Sequence, residues 1–231
     1  MQRLMLSLII GLVLGVSSHA HQHLVLSGGP ALREWELFRT ENDQHDLWWA
    51  NFIRSATLHI DILRAQEKEQ GVAPSKIHWY VYKKGYSLRG REDGKPYTKW
   101  IQDQAKKRGV KLIWIDSGSD FIRSVNRLPH GQTRSFHYFG HSNKHCFLLD
   151  YSSQILGVSA AWIHETDLYQ LSGKAFTRDA ICKSWGCYTG ESMNRYWKRA
   201  TGISMLGARG KTDYTTLAES KLPSTNRGWV R

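Results

Sequence analysis

The chain has 231 residues, with 32 Lys and Arg against 20 Asp and Glu, and a net charge of +12 with histidine neutral. At 41% hydrophobic and 12% aromatic residues it is too apolar for a disordered chain, and it is long enough to bury a sizeable core. The basic residues are scattered, as KK at 83–84, KKR at 106–108 and KR at 198–199, which describes a solvated basic surface, so nucleic acid is not an expected partner.

The first twenty residues have the design of a signal peptide. MQR is a short basic start, LMLSLIIGLVLGV is apolar, and SSHA ends in small residues where a signal peptidase cuts. The expected mature chain starts at His21 and is exported, to the periplasm or beyond the cell. A retained anchor is the competing reading of the same run. No later segment is apolar enough to cross a membrane.

HLVLSGG (23–29) reads as a buried strand entering a glycine turn. Over 46–66, Trp49, Phe52, Ile53, Ala56, Ile60 and Leu63 fall at i, i+3, i+4, i+7, i+11 and i+14, a helical stripe that Gly71 and Pro74 stop. KIHWYVY (76–82) is a second strand, YTKWIQDQAKKRGV (97–110) a second amphipathic helix, and VKLIWID (110–116) a third strand. SFHYF (135–139) and DAICKSW (179–185) give two more strands, ESMNRYWKRA (191–200) a helix and GISMLGA (202–208) a sixth strand. No linker or repeat divides residues 21–231, so one domain is expected. Strands alternating with helices imply an α/β three-layer sandwich, a mostly parallel six-stranded sheet with helices on both faces.

Two of these strands end alike. FHYFGHSNKHC (136–146) passes through Gly140 to His141, and ICKSWGCYTGESM (181–193) passes through Gly186 to Cys187. In parallel sheets, catalytic groups collect beyond the carboxyl ends of the strands. If the two strands are neighbours, an imidazole and a thiol share one edge. A cysteine with its usual pKa of about 8.5 is mostly protonated at neutral pH and needs a base, which histidine provides. Gly186 and Gly190 allow a tight turn that brings backbone N–H groups to a developing oxyanion. Cys146, Cys182 and Cys187 make an odd count in an exported chain. One pairing, Cys146 with Cys182, leaves Cys187 as the odd thiol, and two reduced core cysteines is the equal alternative.

Other chemistries fit less well. His137, His141, His145 and the cysteines have zinc-ligand character, but the cysteines lack paired spacing, so no metal is expected. HQH after the leader offers copper ligands yet reads as a polar chain end. GCYTG misses the G-x-C-x-G elbow by one position, with Tyr188 where the nucleophile would stand. SGGP lacks the G-x-G-x-x-G of a dinucleotide site, so no cofactor is expected.

The strand–His–turn and the strand–Cys–turn that follows it 46 residues later resemble those of the caspase-like cysteine peptidases, nearest to legumain-type and CHAT-type patterns. FHYFGHS resembles the first motif and SWGCYTGESM the second. The order HLVLSGGP, HDLWWANFIRSATLHIDILRAQ, GVAPSKIHWYVY is similar to the opening of legumain-like domains. The resemblance implies a caspase-like fold acting on peptides or proteins, with His141 as general acid/base and Cys187 as nucleophile. Backbone N–H groups of Cys187 and Ser142 would bind the oxyanion. The sequence departs from the family at Ser142, where a glycine is usual; here the glycine, Gly140, precedes the histidine. Lys211 and Asp213, just past GISMLGARG, are positional candidates for reading the residue on the amino side of the cut. The competing class is a non-catalytic binding module that keeps the shell and a basic face.

Overall fold

The computed structural model describes residues 21–41, 44, 48–151 and 161–231. Residues 1–20, the expected signal peptide, lie outside the described residues, as do positions 46 and 47 of the predicted first helix. In chain order the elements are β1 (Gln22–Ser27), α1 (Arg33–Glu36), α2 (Asn51–Glu69), β2 (Lys76–Tyr82), α3 (Lys83–Asp93) and α4 (Tyr97–Lys107). Next come β3 (Lys111–Ile115), α5 (Gly118–Asn126), β4 (Thr133–Phe139), β5 (His141–Ser142), β6 (Cys146–Leu148) and β7 (Trp162–His164). The chain closes with β8 (Phe176–Ser184), α6 (Met193–Thr201), β9 (Met205–Ala208), β10 (Thr212–Asp213), β11 (Ser224–Thr225) and β12 (Trp229–Val230).

The main sheet has the order β12-β9-β8-β4-β1-β2-β3. The six expected strands are all present and run parallel to their neighbours, and β12 pairs antiparallel to β9 as a seventh. The expectation of six strands is therefore corrected to seven. Side chains hold the extra strand in place. Trp229 packs edge-on against Trp185 at 5.3 Å, and Lys183 Nζ lies 3.4 Å over the Trp185 ring and 3.8 Å over that of Trp229. Burial pulls the Lys183 pKa down to about 8; the two ring faces oppose that pull by favouring the cation.

Alternation along the strands sorts their side chains onto two faces. Val25, Trp79 and Val81 point to one, packed with Ile53, Ala56 and Ile60 of α2, Tyr86 of α3 and Ile101 of α4. Leu24, Leu26, Tyr80 and Tyr82 point to the other, with Phe121 and Val125 of α5 and Trp197 of α6. Helices thus cover both faces. β5, β6 and β7 form a separate antiparallel sheet beyond the end of β4, and β10 and β11 a two-stranded ribbon.

Three helices escape the sequence patterns: the short α1, α3 and α5. In α3, Gly85 and Gly90 look like breakers, but a Cβ at Gly85 would sit 3.0 Å from Gly29 Cα and one at Gly90 2.6 Å from the Lys95 carbonyl oxygen. Close backbone approach requires both glycines, and tertiary packing outweighs their low helix propensity. The helix α5 does carry a local signal. Ser117 caps it by accepting from the Asp120 N–H at 3.1 Å, the arrangement that an S-x-x-D sequence announces.

The α2 face buries an unusual pair. His59 and His137 have ring centroids 3.7 Å apart, and both side chains are buried. Trp185 Nε1–H donates to His137 Nδ1 at 3.1 Å, and His59 Nε2 is buried with no hydrogen-bond partner. Burial, then His23 and Lys183, lowers the His59 pKa to about 3. Burial, then His59, Lys183 and His23, holds His137 well below the ordinary range. Both rings are therefore neutral in the folded protein. As pH falls through the unfolded value of about 6.5, the unfolded chain takes up protons that the folded one refuses, so stability is lost. Each histidine contributes a slope of up to about 1.4 kcal/mol per pH unit. Urea unfolding at pH 7 and pH 5 should differ by about 3–4 kcal/mol on account of this pair. A His59→Phe, His137→Phe double variant should flatten that difference; an unchanged slope would refute the assignment.

Candidate functional site

The order 3-2-1-4 at the sheet centre has the chain moving outward from β1 in one direction and then from β4 in the other. The carboxyl ends of β1 and β4 flank this switch point, where ligand crevices form in open α/β sheets. β1 leads there into Gly28 and Gly29, and β4 into Gly140 and His141.

β4 and β8 pair in parallel with Tyr138 opposite Ser184. The ladder continues with the Trp185 N–H donating to the Tyr138 carbonyl at 2.8 Å. His141 and Cys187 each stand three residues beyond that matched pair, so adjacent strands deliver them at equivalent offsets. Both glycines preceding them are sterically required. A Cβ on Gly140 would overlap the Tyr138 ring and hydroxyl, and one on Gly186 would overlap the Ser142 hydroxyl and lie 3.2 Å from the Gly140 carbonyl oxygen. The two strand ends are thus pressed together, and Ser142 Oγ–H ties them by donating to the Cys187 carbonyl at 2.8 Å.

His141 is half-buried, its ring stacked on Tyr151 at 3.8 Å and met edge-on by Phe52 at 4.8 Å. Arg39 lies 4.9 Å over the outer side of Tyr151. Tyr138 Oη–H donates to the His141 and Leu148 carbonyls, fixing the backbone that carries the imidazole. Burial keeps the Tyr138 hydroxyl protonated, its pKa well above the ordinary value.

Cys187 is a half-buried free thiol. The Thr212 N–H donates to its Sγ at 3.3 Å, and Thr212 Oγ1 lies 3.3 Å from the same sulfur. The next residue, Tyr188, has φ of +61°, a left-handed conformation that a non-glycine residue adopts at a cost. Its N–H donates to the Gly210 carbonyl at 2.7 Å, and Thr189 Oγ1–H donates to the Gly186 carbonyl at 3.2 Å. Tight turns of this kind next to a reactive side chain store strain where it positions a group.

The other two thiols are chemically quiet. Burial, with Asp167 and Glu165 nearby, pushes Cys146 up to about 11, and burial pushes Cys182 up to about 12. Both are free, in different sheets, so the Cys146–Cys182 pairing is not formed. His137 is buried against His59 of α2 and Trp185. Among the described residues no group of three His, Cys, Asp or Glu side chains could hold a metal ion. Nor, among those residues, is any helix long and apolar enough to cross a membrane.

Lys211 and Asp213, the positional candidates for reading the residue on the amino side of the cut, flank Thr212, which meets the sulfur. Both side chains are exposed; Asp213 Oδ1 accepts from the Thr215 N–H at 2.8 Å and from its hydroxyl at 2.7 Å, closing a turn. In a strand, residues on either side of a position point away from it, so an inward Thr212 sends Lys211 and Asp213 outward. Thr212, Tyr151 and Phe52 had no sequence signal as neighbours of Cys187 and His141, because nothing in the local pattern says which segments meet there. Comparison of the chain with protein-family models, curated proteins and solved structures gave no match.

Proposed function

We propose that this protein is an exported cysteine peptidase of caspase-like fold, hydrolysing peptide bonds with Cys187 as nucleophile and His141 as general acid/base. The observation that carries this reading is the joined pair of strand ends: Gly140 against Gly186, Ser142 bound to the Cys187 carbonyl, and the imidazole and thiol at matching positions.

In the reaction, His141 takes the thiol proton as Cys187 Sγ attacks the substrate carbonyl carbon. The carbonyl π electrons move to oxygen, giving a tetrahedral oxyanion. That intermediate collapses as the C–N bond breaks, and His141 returns the proton to the leaving amine. Water, deprotonated by His141, then cleaves the thioester and restores the thiol. Oxyanion donors are the N–H groups of Cys187 and Ser142. In β5 and β6 the Asn143 N–H donates to the Cys146 carbonyl at 3.1 Å, and Ser142 lies opposite Phe147. Antiparallel pairs alternate between hydrogen-bonded and non-bonded, so the Ser142 N–H is directed away from β6. A serine therefore supplies the N–H that a glycine supplies in the resembling family.

Thr212 fits the role of a positioning residue for the sulfur. Its N–H and its hydroxyl both lie 3.3 Å from Sγ and fix where the sulfur points. Thr212→Val keeps the N–H and removes the hydroxyl, and iodoacetamide labelling of Cys187 at pH 7 should slow by about 2- to 10-fold. Labelling at the wild-type rate would remove Thr212 from the machinery. The deciding experiment is hydrolysis of a fluorogenic peptide library varied on the amino side of the cut. Turnover lost in Cys187→Ala supports a peptidase. No turnover of any member by the wild type, with slow labelling of Cys187, would favour the binding module.

A further inference from the structure

A cavity of about 540 Å³ opens over the amino-terminal halves of β2 and β3, at the opposite end of the sheet from Cys187. Its floor and its wall come from two regular patterns. His78 pairs with Lys111 and Tyr80 with Ile113 across the parallel ladder, so all four side chains lie on the α5 face. The wall is Asp120, Arg123, Ser124 and Arg127, spaced i, i+3, i+4 and i+7 along α5, one helical stripe.

The charges in this cavity do not cancel. Asp120 is committed: it pairs with Arg123, accepts from Ser117 Oγ–H at 2.9 Å and accepts from the Asp116 N–H at 3.2 Å. Lys111 and Arg127 form no ion pair among the described residues. His78 Nδ1 is buried with no hydrogen-bond partner. Two unneutralised cations thus face one space beside the half-buried His78, and the remaining wall is apolar, from Ile113 and Leu128. The volume falls in the range of small-molecule sites, about 300–1,000 Å³, and exceeds what one tetrahedral anion fills.

We infer that this cavity binds a small organic phosphate monoester. The phosphate would sit between Lys111, Arg127 and His78, with the organic group against Ile113 and Leu128. A dianion neutralises the two cations and favours the protonated form of the His78 ring beside it. Burial first, then Lys111 and Lys76, lowers the His78 pKa. The other charges facing it across the cavity are Arg123, Arg127 and the committed Asp120. Occupancy by an anion should therefore raise the His78 titration midpoint.

The test is calorimetric titration of the chain from His21 with phenyl phosphate, at constant ionic strength held by sodium chloride. Saturable one-to-one binding is expected, weakened about 10-fold or more by Lys111→Ala and by Arg127→Ala. It should be unchanged by Lys106→Ala, an exposed lysine on α4. Imidazole resonances should report an upward shift of the His78 midpoint with ligand bound. Absence of saturable binding, or equal weakening by Lys106→Ala, would overturn the site. Inorganic phosphate binding as tightly as phenyl phosphate would overturn the organic half of the assignment. Peptide hydrolysis is not a readout here, so the outcome is independent of the peptidase proposal.

Discussion

His141→Ala should lower peptide hydrolysis by about 10²–10⁴-fold, the usual contribution of a positioned general base. Cys187→Ala should remove hydrolysis altogether, because no acyl-enzyme can form. The His141→Ala variant keeps its sulfur, so iodoacetamide separates the two roles. Wild-type Cys187 should label fast near neutral pH, His141→Ala should label slowly at the same residue, and Cys187→Ala should lose that label. Cys146 and Cys182, pushed up to about 11 and about 12, should contribute little background at pH 7 because almost none of either is thiolate. The imidazole also packs between Tyr151 and Phe52, so its loss should cost about 1 kcal/mol of stability. His141→Gln, which keeps part of that packing but cannot act as a base, should be as inactive as His141→Ala. Equal labelling rates in wild type and both His141 variants would exclude the dyad.

Trp197→Ala should produce the largest loss of stability, about 3–5 kcal/mol, from a protein whose total is of order 5–15 kcal/mol. Trp197 is 0% exposed. Its ring stacks on Phe136 of β4 at 4.5 Å and meets Phe176 of β8 edge-on at 5.8 Å. It therefore clamps the two strands that deliver His141 and Cys187. Truncation leaves a cavity between α6 and the sheet that the surroundings fill only in part. Trp197→Phe should recover more than half of the loss. Trp48→Ala, at a 62% exposed position, should fall within about 0.5 kcal/mol of wild type. Chemical unfolding of the three variants checks this, and a Trp197→Ala midpoint no lower than that of Trp48→Ala would refute it.

Much of the strand and helix content is legible in the chain because it rests on local periodicity. Val25, Trp79 and Val81 alternate with Leu24, Tyr80 and Tyr82, and the stripe from Phe52 to Ile60 repeats at the helical period. Such patterns survive whatever the rest of the molecule does. β12 is not legible in this way. Its two residues, Trp229 and Val230, have no period, and its place depends on Lys183 and Trp185, more than forty positions earlier. The same holds for α3, whose glycines read as breakers until Gly29 and Lys95 are seen against them.

By itself the sequence determined that two apolar strands end at Gly140 and Gly186 with His141 and Cys187 just beyond, because that motif is local. Only the tertiary structure decided that β4 and β8 are neighbours in the register that joins these ends. It also decided that Ser142 holds the Cys187 carbonyl, that Thr212 meets the sulfur, and that Tyr151 and Phe52 hold the imidazole. Apart from Tyr151, ten residues beyond His141, those contacts join residues at least 25 positions apart in the chain. Their formation depends on steric fit between whole elements, which no local pattern records.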